Sequence, residues 1–155
     1  MSISIMISGF VLVLCAACSS PASAPQATVT PNPTPPPDRT DEAIATLVNM
    51  ADVEAGAALF NKEFNTALGP FRCVTCHNID SDDPLAGPGM LSLPERVGSR
   101  VDGQSAEVYL YNSIVDPNAY IAEDYNEGVM PMNYADILTE DQIFQLSAYM
   151  LSLGG

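Results

Sequence analysis

The sequence predicts an all-α domain. Apolar residues recur at spacings of three and four in three separate stretches, capping residues stand at the starts of two of them, and no convincing period-two alternation is present. No internal repeat is visible.

The first helix is predicted from about Asp52 to Phe64, where Val53, Gly56, Ala57, Phe60 and Phe64 share one face. The second lies near 105–115. Ser105 is its N-cap, Glu107 stands in its first turn, and Val108, Tyr111 and Val115 form its stripe. Asp116-Pro117 stops it, because a residue before proline avoids the helical region. The third opens on the capping box Thr139-Glu140-Asp141-Gln142, with acidic side chains at the positive end of the helix dipole. Ile143, Leu146, Met150 and Leu153 are its buried stripe and Gly154 its stop. Gly and Pro at 84–89 and 128–131 mark loops. Three short helices and long loops in about 105 residues make a thin core, and small domains of this kind usually need a metal or a held cofactor.

Residues 1–18 read as a leader. The apolar run 3–18 would span roughly 24 Å as a helix, short of the roughly 30 Å hydrocarbon core of a bilayer. It ends in small residues, as a secretory leader does. "CAAC" before "SS" resembles a bacterial lipoprotein cleavage box, with Cys18 as the lipidated residue. Ordinary cleavage near Ala22-Ser23-Ala24, giving a soluble periplasmic protein, and an uncleaved N-terminal anchor are the alternatives. Residues 19–41 are rich in Pro, Ser, Thr and Ala and lack the large apolar side chains needed to fold, so they read as a flexible linker. Residues 42–155 are the domain. The expected location is the periplasmic side or the cell surface, membrane-anchored through Cys18.

Five basic residues against nineteen acidic ones give a net charge of −14. Such a chain repels nucleic acid, so no nucleic-acid partner is expected, and a partner with a basic docking face is its natural counterpart.

Two of the four cysteines, Cys15 and Cys18, lie in the leader. The other two stand in "RCVTCHNID", 72–80, with the only histidine, His77, directly after the second. Cys-x-x-Cys-His is the attachment signal for a c-type haem. Thiols with two residues between them both reach one edge of a porphyrin and add to its two vinyl groups, and the adjacent imidazole is turned beneath the ring toward the iron. A thioredoxin-like pair would need a βαβ unit, and no strand is predicted before Cys73. A zinc site needs four ligands and would have to recruit carboxylates.

With His77 used, the second axial ligand is expected to be a methionine. Met1 and Met6 are in the leader, Met50 precedes the first predicted helix, and Met150 is on the core stripe of the last. Met90, Met130 and Met132 sit in loops. Met130, in "EGVMPMNY", is far enough from His77 for the chain to cross to the opposite face, and Gly128 and Pro131 stiffen its loop. Met130 is the expected ligand and Met132 the fallback.

The chain from about 50 to 155 resembles the class I c-type cytochromes. The likeness rests on Gly56-x-x-x-Phe60 ahead of the haem motif, Leu146-x-x-Tyr149 in the last helix, Gly87-Pro88 with Leu91 after the haem motif, "YLYNSIVDPNAYI" at 109–121, and "GVMP" at 128–131. The resemblance implies a small fold in which the N- and C-terminal helices cross and loops wrap one covalently bound haem c. It also implies that the Pro88 carbonyl accepts the His77 Nδ1–H, and that Arg100, in "VGSRV", is a possible partner of the haem propionates. The family is often drawn with a basic docking face, from which this acidic chain departs.

The function expected is one-electron transfer with both axial positions filled, and hence no bond chemistry of its own. The protein is read as held at the outer face of the cytoplasmic membrane, as a shuttle or a monohaem subunit of a respiratory or photosynthetic electron-transfer complex. The alternative is a ligand-binding or sensing haem protein, or a haem enzyme, with an open sixth position.

Overall fold

The computed structural model describes residues 39–154. The leader, Cys18 and linker residues 19–38 lie outside the described residues.

The first element is one that composition hides. Helix α1 runs Asp41–Met50, capped by Thr40, whose side chain accepts from the Ala43 N–H. Ile44 and Val48 bury its inner face, while Met50, at its end, is exposed. Composition assigns 39–41 to the linker, yet Asp41 is helical, Thr40 is the cap, and Arg39 is held by the fold. The Arg39 guanidinium lies 2.6 Å from Glu140 and over the Phe144 ring. Tyr111 stacks on that ring and donates to the same carboxylate.

Helix α2, Val53–Phe60, follows at 91° to α1. The Asp52 carboxylate caps it, accepting from the Glu54 and Ala55 N–H groups. The stripe predicted to run on to Phe64 breaks at Asn61, whose side chain donates back to the Ala57 carbonyl. Gly56, Leu59 and Phe60 are buried, but Val53 is 40% exposed and Phe64 is buried from a strand instead. That strand, β1 (Phe64–Thr66), pairs antiparallel with β2 (Gly69–Phe71), Phe64 opposite Phe71. Gly69, at φ +123°, makes the turn. Three-residue strands are too short to register as alternation. The two strands are a minor addition to an all-α fold.

The one-turn helix α3 (Cys73–Cys76) leaves directly from β2. A long loop leads to α4 (Leu93–Val97) and then α5 (Ala106–Val115), capped by Ser105 as its sequence predicts. Val108, Leu110, Tyr111 and Ile114 are buried on α5, and Val115 only half so. A second long loop reaches α6 (Tyr134–Ile137) and the closing helix α7 (Glu140–Leu151).

Helix α7 is the hub, packing against α1, α2, α4 and α5. It crosses α2 at Gly56, and Phe60 meets Tyr149 at 5.4 Å between ring centres. Its capping box is complete: Thr139 Oγ1 accepts from the Gln142 N–H and Gln142 Oε1 accepts from the Thr139 N–H. Replacing Thr139 by alanine is expected to cost about 1 kcal/mol, because it leaves one of these groups unpaired at a helix end. Urea titration of the holoprotein measures this, with its visible spectrum unchanged.

Candidate functional site

The site begins at β2, which delivers the chain to α3 in a fixed direction. Four residues make a single helical turn, so Cys73 and Cys76 stand on one face of it. The His77 N–H closes the turn on the Cys73 carbonyl at 3.0 Å, and the backbone then extends, carrying the imidazole away from the helix. A strand does precede Cys73, contrary to expectation. It belongs to an antiparallel hairpin, however, so the βαβ setting of a redox thiol pair is missing among the described residues.

Electrostatics point the same way. Burial pushes the Cys73 thiol up to about 11, and Cys76 beside it adds to the rise. A thiol held protonated is the opposite of the activated thiolate a redox pair needs. Among the described residues no three His, Cys, Asp or Glu side chains come together as a metal-ligand set. Zinc therefore finds no carboxylates to complete its tetrahedron there.

The loop after His77 turns back over it. The Gly87 N–H donates to the Cys76 carbonyl at 2.9 Å and the Met90 N–H to the Asn78 carbonyl at 2.7 Å. Pro88 O then lies 3.0 Å from His77 Nδ1. A carbonyl only accepts, so Nδ1 carries the proton and Nε2 keeps a free lone pair. Burial lowers the imidazole's pKa and so favours the neutral ligand form, although the hydrogen bond to the Pro88 carbonyl pulls the other way. Gly87 is required here: a Cβ on it would stand 2.8 Å from Nδ1 and 2.9 Å from Nε2 of the ring.

These residues open into a cavity whose lining is mostly apolar and which is partly open to solvent. Its walls come from the Phe71–His77 segment, the 86–90 loop, the inner face of α5, the 117–131 loop, and Tyr134, Leu138, Leu146 and Met150. Cys73, Cys76, His77, Pro88 and Met130 all line it. Met130 is half-buried and packed against the core, on a loop pinned where the Gly128 N–H meets Asn118 Oδ1.

Two predicted residues stand elsewhere. Met132 is 44% exposed and does not line the cavity. Arg100 lines an adjoining recess that shares Ala86, Pro88, Tyr125 and Val129 with the cavity wall. Leu91, the leucine after Gly87-Pro88, is 42% exposed, and the buried apolar neighbours are Met90 and Leu93. Met90 and Met150 also line the cavity. The core stripe signalled Met150 as buried, but nothing local signalled Met90.

The donor set fits a haem. Two half-buried thiols face one cavity beside a neutral imidazole with Nε2 free, a thioether stands elsewhere on the wall, and a glycine leaves the ring uncrowded. The family model described as cytochrome c matches residues 53–154, about two thirds of the chain. Neither the curated proteins nor the solved structures give a significant match.

Proposed function

Because this chain belongs to the cytochrome c family, with a covalently bound haem c and an electron-transfer role, we propose that it is a His77/Met130-ligated monohaem carrier working at the outer face of the cytoplasmic membrane. When bound, the haem supplies one-electron exchange between ferric and ferrous iron.

The chain's own residues do the rest. Cys73 and Cys76, the two thiols facing the cavity, would hold the group covalently. His77 Nε2 would bind the iron, and the Pro88 carbonyl fixes that ring's orientation and raises its basicity. The Met130 sulfur would be the second ligand, a pairing that favours a fairly high reduction potential. Ligands from both residues would leave no place at the iron for a substrate. Arg100 in the adjoining recess is the proposed cation for the propionates.

The lipidated Cys18 and the linker keep the domain near the membrane, as a shuttle or a monohaem subunit of a larger complex. The net charge of −14 supports a redox partner with a basic docking face. The observation that carries the reading is the bond from His77 to Pro88 in a cavity that also holds both thiols and Met130.

The test is the visible spectrum of protein matured with c-type attachment machinery, oxidised and reduced, with carbon monoxide then added to the reduced form at neutral pH. Sharp low-spin bands, a weak long-wavelength sulfur-to-iron band in the ferric state and no response to carbon monoxide are expected. High-spin bands or ready carbon monoxide binding would make this a ligand-binding haem protein instead.

A further inference from the structure

The loop that presents Pro88 is held by Asp82 and Arg96, which line the recess beside the cavity together with Arg100. Its two arms, 81–82 and 88–92, press together at Gly89, where a Cβ would lie 2.6 Å from both the Asp82 Cα and the Ser81 carbonyl oxygen. Asp82 ties the arms: Oδ1 accepts from the Ser92 N–H at 3.0 Å and Oδ2 from the Ser92 hydroxyl at 2.6 Å. These bonds hold the Asp82 carboxyl below its ordinary pKa, with Arg96 adding to the effect.

Arg96 closes the clasp. One of its terminal nitrogens, Nη2, donates to Asp82 Oδ1 at 2.9 Å and to the Gly89 carbonyl at 2.8 Å, and its Nε donates to the Ser92 carbonyl at 3.2 Å. Arg96 is planted on α4, whose Leu93 and Val97 are buried in the core. A single guanidinium thus binds three points on the loop, one of them the carbonyl of the residue directly after Pro88. The planar fork of arginine makes this possible, and a lysine cannot reproduce it.

We propose that Arg96 and Asp82 are positioning residues for the haem ligand, fixing the Pro88 carbonyl on His77 Nδ1 and thereby setting the reduction potential. This rests on His77 being the axial ligand. A well-aligned Nδ1–H···O bond gives the imidazole anionic character and favours ferric iron. Loosening the clasp weakens the bond, and the potential rises. Removing a positive charge near the haem would instead lower it, so the informative variant keeps the charge. Exposed ion pairs contribute little to stability, and the clasp's effect is therefore on geometry.

The experiment compares wild-type and Arg96→Lys holoproteins by redox titration and by the nitrogen-15 resonance of His77 Nδ1 in the ferrous state. The lysine variant is expected to titrate higher by about a threefold change in the reduction equilibrium, about 28 mV at 59 mV per tenfold for one electron. The Nδ1 resonance should move toward that of a weaker hydrogen bond. Ser92→Ala, which removes only the Asp82 Oδ2 contact, should give a smaller rise of the same sign, and it carries the test alone if the lysine variant does not fold. Wild-type potential and Nδ1 resonance in a folded Arg96→Lys protein would overturn the proposal. Failure of the underlying reading shows earlier and differently: wild-type protein itself would lack low-spin, His-ligated features, and the proposal would fall with it.

Discussion

Met130→Ala holoprotein is expected to bind carbon monoxide in its ferrous form at neutral pH, to lose the long-wavelength sulfur-to-iron band, and to fall in reduction potential. The fall should be on the order of 0.1–0.3 V, a substantial part of the roughly 0.8 V over which axial ligands set haem potentials. On the proposed ligation, the cause is the loss of a thioether that would favour ferrous iron and fill the sixth position. The fold should survive, because Met130 is half-buried on a loop outside the helices. An unchanged spectrum would move the assignment to Met90 or Met150, the other methionines lining the cavity. Both are buried in the core, so alanine at either should also cost about 2–5 kcal/mol of stability. That added loss separates them from Met130.

Gly56→Ala should be a damaging small change in the scaffold. The α2 and α7 backbones meet at this residue, and a Cβ would overlap the Gln145 carbonyl while lying 2.8 Å from the Tyr149 Cβ. The obstacle is backbone, which cannot swing aside. Overpacking of this kind costs about 3 kcal/mol, at the upper end of its usual range. Better helix propensity returns about 1 kcal/mol, for a net loss near 2 kcal/mol. Urea titrations of the two holoproteins, followed by far-ultraviolet circular dichroism, measure the difference. A loss below about 0.5 kcal/mol would mean the helices can move apart at little cost, contrary to their close approach.

Features set by neighbours in sequence were the legible ones. Ser105 and Thr139 cap their helices through side chains three residues from the N–H groups they satisfy. Cys73, Cys76 and His77 are grouped by the spacing that attachment chemistry demands. Features set by distant partners were hidden. Helix α1 has only Ile44 and Val48 as its buried stripe, and it follows Arg39, whose partners Glu140 and Phe144 lie at the far end of the chain. Arg96 looks like an ordinary surface arginine until the loop brings Asp82 and Gly89 to it. That Met90 and Met150 line the same cavity as Met130 could not be read from spacing, because three separate segments bring them there.

The crossing at Gly56 also sets an order of events in time. Gly56 and Gln145 lie roughly ninety residues apart, so the contact closes a long loop of chain and comes late in folding. During synthesis, Cys73 and Cys76 emerge well before α7 exists to seal α2 against it. In that interval the two thiols are on an open chain, accessible to an attachment enzyme. The fold shuts around them only when its last helix arrives.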